Sequence, residues 1–207
     1  MNEIQIVKIV AAGKTKSNVK FDNGVTAAVY NGEIRKFDLV EGRFMPEDEY
    51  DELIQKVLGK RATKRAMHLL EKMDRTEKQV RDKLKQNGYP DDCIQIAVDY
   101  LYKFHYLDDE RYARNYINGH QNCKSKQKLF MDLMSKGIDR ETIEFSLEEE
   151  YEADEDSQIR KLLEKKKFDY ENADQKEFKR VYSFLLRRGF KSSDILRQMK
   201  YKSDFYD

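Results

Sequence analysis

KFHYLDDERYARNYI, residues 103–117, is a joint between two helical segments. Leu101 and Tyr102 end an apolar stripe, and Phe104 to Leu107 is a short aromatic bend. Asp108, Asp109 and Glu110 then bring oxygens and negative charge to a new helix start, where unpaired N–H groups and the helix dipole favour them. Tyr112, Ala113, Tyr116 and Ile117 resume an apolar face. A joint between two periodic segments raises the question of whether those segments repeat, and the answer decides the fold.

They do repeat. Thr76 with Gln79 fits a capping box, Val80 and Leu84 share a face, and Gly88 stands where a left-handed C-cap is wanted. Pro90 opens a second helix, whose Ile94, Ala97, Val98 and Leu101 follow helical spacing. Gly137 and Gly189 recur 49 and then 52 residues on. Superposing the three glycines aligns Val80 with Leu129 and Val181, and Leu84 with Leu133 and Leu185. Tyr89, Ile138 and Phe190 follow each glycine, Ile94, Ile143 and Ile195 coincide, and Val98, Leu147 and Met199 close the pattern. Five matched apolar positions around one glycine, three times over, mark a tandem repeat. Each unit has a leading helix, at about residues 62–71, 108–119 and 154–167. The expectation is a mainly α chain of three tandem three-helix repeats, over 59–107, 108–152 and 153–207, in an elongated curved array that bends at its joints.

Upstream, residues 1–58 form a different region. Ile4, Ile6, Val7, Ile9 and Val10 are β-branched, and Val19 and Phe21 precede Asp22-Asn23-Gly24 and then Val25 to Tyr30, a hairpin pattern. Asn31-Gly32 reads as a second turn, with Ile34, Phe37, Leu39 and Val40 as a further short strand. Pro46 before Glu47, Asp48 and Glu49 reads as a helix first turn, with Leu53, Ile54, Val57 and Leu58 as its apolar face. A small β-hairpin-plus-helix extension therefore precedes the repeats, with a boundary expected at Gly59-Lys60-Arg61.

Charged residues are 38% of the chain and apolar ones 39%, so a thin interior is expected. Aromatic content of 12% argues against disorder. Forty basic and 39 acidic side chains nearly cancel, so only a segregated patch could attract a polyanion. Cys93 and Cys123 make no disulfide framework, and neither the amino terminus nor any later run resembles a signal peptide or a membrane span. A cytoplasmic monomer is the expectation.

Catalysis has little support. His68, His105 and His120 are scattered, and none stands beside a nucleophile motif. His120 and Cys123 lack a second pair of metal ligands, and Gly13-Lys14-Thr15 lacks the upstream glycine of a phosphate-cradling loop. No enzyme activity, metal or cofactor is expected. The basic residues say more. Lys64, Arg75, Arg81 and Lys85 lie in a locally positive stretch, Lys124, Lys126 and Lys128 form a second run, and Arg187 and Arg188 precede the third glycine. Lys85, Lys136, Arg187 and Arg188 occupy the end of the same helix in each unit. Dipole compensation and solvation account for any one of these, whereas a repeated stripe can grip an acidic protein groove or a phosphate backbone. The acidic run from Glu148 to Asp156 opposes DNA wrapped along the whole array.

Three passages resemble a known family: Arg75-Thr76-Glu77 through Leu84 to Gly88-Tyr89, then YLDDERYA at residues 106–113, then LMSKGI at residues 133–138. They are similar to RecX, the bacterial regulator of the RecA recombinase, over roughly residues 62–200. Met73 stands where a basic residue is usual, and Ser125 and Phe130 replace a typical glycine and arginine. The resemblance implies a helical protein that lies in the groove of the RecA–DNA filament and limits filament growth, ATP hydrolysis and strand exchange, with no chemistry of its own. Its implied partners are RecA and the filament, with weak direct DNA binding. Arg111 and Arg114 in the opening stretch then join the candidate contacts. A DNA-binding helix-turn-helix-like regulator and a helical adaptor for another protein are the alternatives.

Overall fold

The computed structural model describes residues 3–199. The chain divides into two compact units, Met1–Asp108 and Asp109–Asp207.

The first unit opens with a four-stranded antiparallel sheet in the order β3-β2-β1-β4, built from β1 (Glu3–Ala11), β2 (Lys16–Phe21), β3 (Thr26–Tyr30) and β4 (Phe44–Pro46). The Asp22-Asn23-Gly24 hairpin forms as expected. Asn23 Oδ1 accepts from Val25 N at 3.1 Å, and Phe21 N donates to Val25 O at 2.9 Å. Strand alternation sends Ile6, Val19, Phe21, Ala27 and Val29 into the core.

Residues 34–40 do not add a strand, contrary to the sequence pattern. Asn31–Lys36 is instead a short helix, α1. Glu33 accepts from Tyr30 N at 2.8 Å and pairs with Arg61 at 2.6 Å, so a partner 28 residues away fixes this turn. Phe37 and Leu39 still reach the core, from a loop. The fourth strand comes later, where Met45 pairs with Ile4.

Pro46 does precede a helix. The helix α2 (Glu47–Asp51) continues through a π-helical stretch, Glu52–Gly59, into α3 (Lys60–Lys72), so the backbone crosses Gly59 without a break. The helices α4 (Glu77–Gln86) and α5 (Asp91–Lys103) complete the first three-helix unit. Ile6, Phe21, Met45, Leu53 and Leu58 share one hydrophobic cluster with Ala66, Leu84, Ile94 and Leu101. Extension and first repeat thus bury their apolar faces against each other.

The second unit holds the other two repeats. One comprises α6 (Asp109–His120), α7 (Lys126–Ser135) and α8 (Arg140–Glu150), and the other α9 (Glu155–Lys165), α10 (Gln175–Leu186) and α11 (Ser192–Gln198). Each has its own apolar cluster. Thr76, Ser125, Asp139, Asp154 and Asp174 cap α4, α7, α8, α9 and α10 through side-chain oxygens. The aligned positions behave alike: Val80, Leu129, Val181, Leu84, Leu133 and Leu185 are all buried. Gly88, Gly137 and Gly189 adopt φ of +83°, +89° and +84°, the left-handed cap that the repeat demands.

Candidate partner-binding surface

In the second repeat, Tyr116 and Asp132 gather three of the candidate lysines. Lys124 Nζ donates to Tyr116 Oη at 2.7 Å and to Asp132 Oδ2 at 2.8 Å, and Lys128 Nζ donates to Asp132 Oδ1 at 2.7 Å. Lys136 lies over the Tyr116 and Tyr112 rings, at 5.1 and 5.8 Å from their centres, and the His120 ring stacks on Tyr116 at 4.1 Å. Burial raises the pKa of the Asp132 carboxyl. The hydrogen bonds from Lys124, Lys128 and Tyr116 outweigh it and hold the group at about 2. Burial likewise opposes the Lys124 charge, but its bonds to Asp132 and Tyr116 win and raise its pKa. Lys124, in the loop before α7, therefore fastens α7 to α6, while Lys128 pairs with Asp132 along α7 itself.

The third glycine turn sits on this helix. Ser125 N donates to Arg188 O at 3.0 Å, and a Cβ built on Gly189 would lie 2.6 Å from Lys128 Cβ. Arg187 and Arg188 are thus brought beside Lys126 and Lys128. The Arg188 guanidinium lies 3.7 Å from the Phe184 ring centre, and Lys166 approaches the same ring at 4.5 Å. Lys166, Arg180, Val181, Phe184 and Arg187 line a shallow pocket of about 280 Å³. Lys166 and Arg180 were not singled out in the sequence. The four-residue spacing of Phe184 and Arg188 could have pointed to this ring, but Lys166 reaches it from a different helix.

In the first unit the candidates are dispersed. Arg81 pairs with Glu77 at 2.5 Å and bonds Gln95, Lys85 meets Asp91 at 3.5 Å, and Arg75 reaches Leu69 O at 3.5 Å. The dominant cation here is Arg61. Its guanidinium bonds Glu33 and Ala28 O and lies 4.5 and 5.4 Å from the ring centres of Tyr30 and Tyr89. In α6, Arg114 bonds Glu110 at 2.8 Å and Glu150 at 3.2 Å, tying α6 to α8, while Arg111 is exposed.

Four of the twelve candidates lie in the first unit and eight in the second. Among the described residues, the Lys64, Lys126 and Arg187 side chains are exposed and enter no ion pair. No group of three or more His, Cys, Asp or Glu side chains among the described residues could hold a metal ion, and Cys123 Sγ instead contacts His120 O at 3.4 Å. Cys93 donates to Ile54 O at 3.2 Å, and burial pushes its thiol up to about 12. No helix of the described residues is long and apolar enough to cross a membrane.

Three units with a common glycine turn, each closed around its own apolar cluster or one shared with the sheet, define a tandem three-helix-repeat protein. Residues 62–101, 108–147 and 154–199 match the family models for the first, second and third three-helix domains of RecX, so the chain belongs to the RecX family. It is 31% identical to the regulatory protein RecX of Clostridium acetobutylicum, over 97% of each chain. It is 28% identical to that of Caldanaerobacter subterraneus subsp. tengcongensis, over 92% of this chain and 95% of the relative. A crystal structure of regulatory protein RecX superposes with a TM-score of 0.59, at 22% identity, over 96% of this chain and all of that one. RecX from Lactobacillus salivarius gives 0.56 at 23% identity, over 70% of this chain and 96% of its own. These structural likenesses concern the fold.

Proposed function

We propose that this chain is a non-enzymatic regulator of the RecA recombinase, acting in the cytoplasm by binding the RecA–DNA filament and limiting its growth, ATP hydrolysis and strand exchange. The observation that carries the reading is the run of three RecX three-helix domains across residues 62–199. The relatives are named as regulatory proteins, and the RecX resemblance supplies RecA as the partner.

Lys64, Lys126 and Arg187 are the proposed first contacts, because each side chain is exposed and enters no ion pair among the described residues, although the Lys126 backbone N–H donates to Glu155 at 2.9 Å. Several weak contacts carried on one chain act together once the first is made, and such contacts weaken with salt. Of the other candidates, Lys124 and Arg114 tie elements together and Lys128 is paired with Asp132 on its own helix, so these present less free charge.

The test is RecA assembled on single-stranded DNA, with ATP hydrolysis and strand exchange followed as the purified protein is added. Inhibition that saturates at a fixed ratio of protein to RecA is expected. No effect at a ratio that covers the filament would refute the reading. Sequence-specific binding to duplex DNA with RecA absent would favour the helix-turn-helix alternative instead.

A further inference from the structure

The amino-terminal sheet turns a face to solvent that the three-helix repeats do not use. Between Ile4 and Phe21 the chain holds Lys8, Lys14, Lys16 and Lys20 and not one Asp or Glu. Strand geometry then concentrates that charge. Ile6, Val19 and Phe21 point inward and are fully buried, so Lys20 points outward. A register shift between Ile6 and Lys8 leaves two consecutive residues, Val7 and Lys8, exposed. The same register sets Lys8 directly opposite Lys20 across β1 and β2.

Like charges facing each other across an antiparallel pair destabilise it. Among the described residues neither lysine has a carboxylate to relieve the repulsion, and Lys14 and Lys16 form no ion pair either. Two acids lie nearest the pair: Glu41, whose carboxylate accepts from the backbone N–H of Ile9 at 2.7 Å, and Asp22, exposed two residues beyond Lys20, and among the described residues neither forms an ion pair with a lysine. Lys16 and Lys20, four residues apart on one strand, stand about 13 Å from each other. Beside these cations Val7, Val10 and Phe44 are 47%, 48% and 54% exposed, and Phe44 is set opposite Gln5 on β4.

We infer that this face binds the sugar-phosphate backbone of single-stranded nucleic acid, with Phe44 offered to a base. A phosphate between Lys8 and Lys20 replaces their mutual repulsion with two attractions. An acidic protein surface would satisfy the lysines, but it would leave Phe44 without the flat π-face that a base supplies. Anionic lipid would use the lysines alone. The inference stands apart from the RecA reading, because it requires no RecA.

The experiment is fluorescence anisotropy of the full-length protein with a labelled oligothymidylate in a salt titration, without RecA. Heparin and phosphatidylserine vesicles serve as the other polyanions. Replacing Lys8, Lys16 and Lys20 together by Gln should weaken oligothymidylate binding at least tenfold at low salt and reduce the slope of log K against log salt by about 2. Phe44→Ala should weaken it about fivefold or more while leaving heparin binding unchanged. The single change Lys8→Glu separates binding from folding: by pairing with Lys20 it should raise the melting temperature while it lowers affinity. Unchanged oligonucleotide affinity in the triple variant would overturn the inference. So would vesicle binding with no oligonucleotide binding, or a Phe44→Ala protein as tight as the parent.

Discussion

Replacing Gly189 by Ala tests how the third repeat is seated on the second. The residue has φ of +84°, where an L side chain costs about 1–2 kcal/mol. The added Cβ would fall 2.5 Å from Ser125 Oγ and 2.6 Å from Lys128 Cβ. Neither atom can easily retreat. Ser125 Oγ caps α7 by accepting from Lys128 N at 3.1 Å, and Lys128 Cβ is attached to the helix backbone. Relief requires the turn to lift away, which stretches the bond from Ser125 N to Arg188 O, a loss of about 1 kcal/mol. The sum is about 2–3 kcal/mol. For a unit of about 100 residues that lowers the melting temperature by roughly 10 °C or more. The control is Gly119→Ala, at the end of α6, where an added Cβ meets nothing within 4 Å. Helix propensity alone should make that variant more stable by about 0.5–1 kcal/mol. Calorimetry of the two variants, with hydrogen exchange at the Ser125 amide, measures both effects. A fall below about 3 °C for Gly189→Ala, or an equal shift in both variants, would refute the close seating.

Asp132, with its carboxyl held at about 2 against an ordinary 3.8, contributes stability that is fully present above pH 4 and is lost as pH falls from about 4 towards 2. The contribution is at most about 2 kcal/mol. Urea unfolding across that range should show it, and Asp132→Asn should flatten the dependence while costing a similar amount at neutral pH. Arg61→Lys should cost about 2 kcal/mol, since an ammonium cannot bond Glu33 and Ala28 O while lying against Tyr30 and Tyr89. Denaturant unfolding checks this, and a loss under about 0.5 kcal/mol would contradict the assigned role. Reversing Lys64, Lys126 and Arg187 together to Glu should weaken inhibition of RecA about tenfold or more and leave the far-ultraviolet spectrum unchanged. Reversing Lys124 and Lys128 should instead melt the second repeat, because three carboxylates would then meet at Asp132.

Local chemistry made most of the fold legible. A capping box at Thr76 and Gln79, glycines followed by an apolar residue, and apolar positions at helical spacing are short-range signals, and the structure buries every aligned position except Tyr89, which is half-buried against the same cluster. The Asp22-Asn23-Gly24 hairpin and the helix after Pro46 are legible for the same reason. Residues 31–40 depart from their strand-like pattern because the Glu33 partner is Arg61, on a helix that begins far along the chain. The absence of a break at Gly59 has a similar origin: the extension and the first repeat lack separate cores.

The sequence by itself determined the number of repeats, the place of their glycine turns and the family, because each depends on residues close together in the chain. Only the tertiary structure decided which cations are free. Lys124, Lys126 and Lys128 look equivalent in a row, yet Asp132 takes the first and third and leaves the second in solvent. Lys8 and Lys20 look like ordinary surface lysines until strand register sets them face to face. Charge is a property of a residue, but whether that charge is available to a partner is fixed by what folding brings within a few ångströms of it.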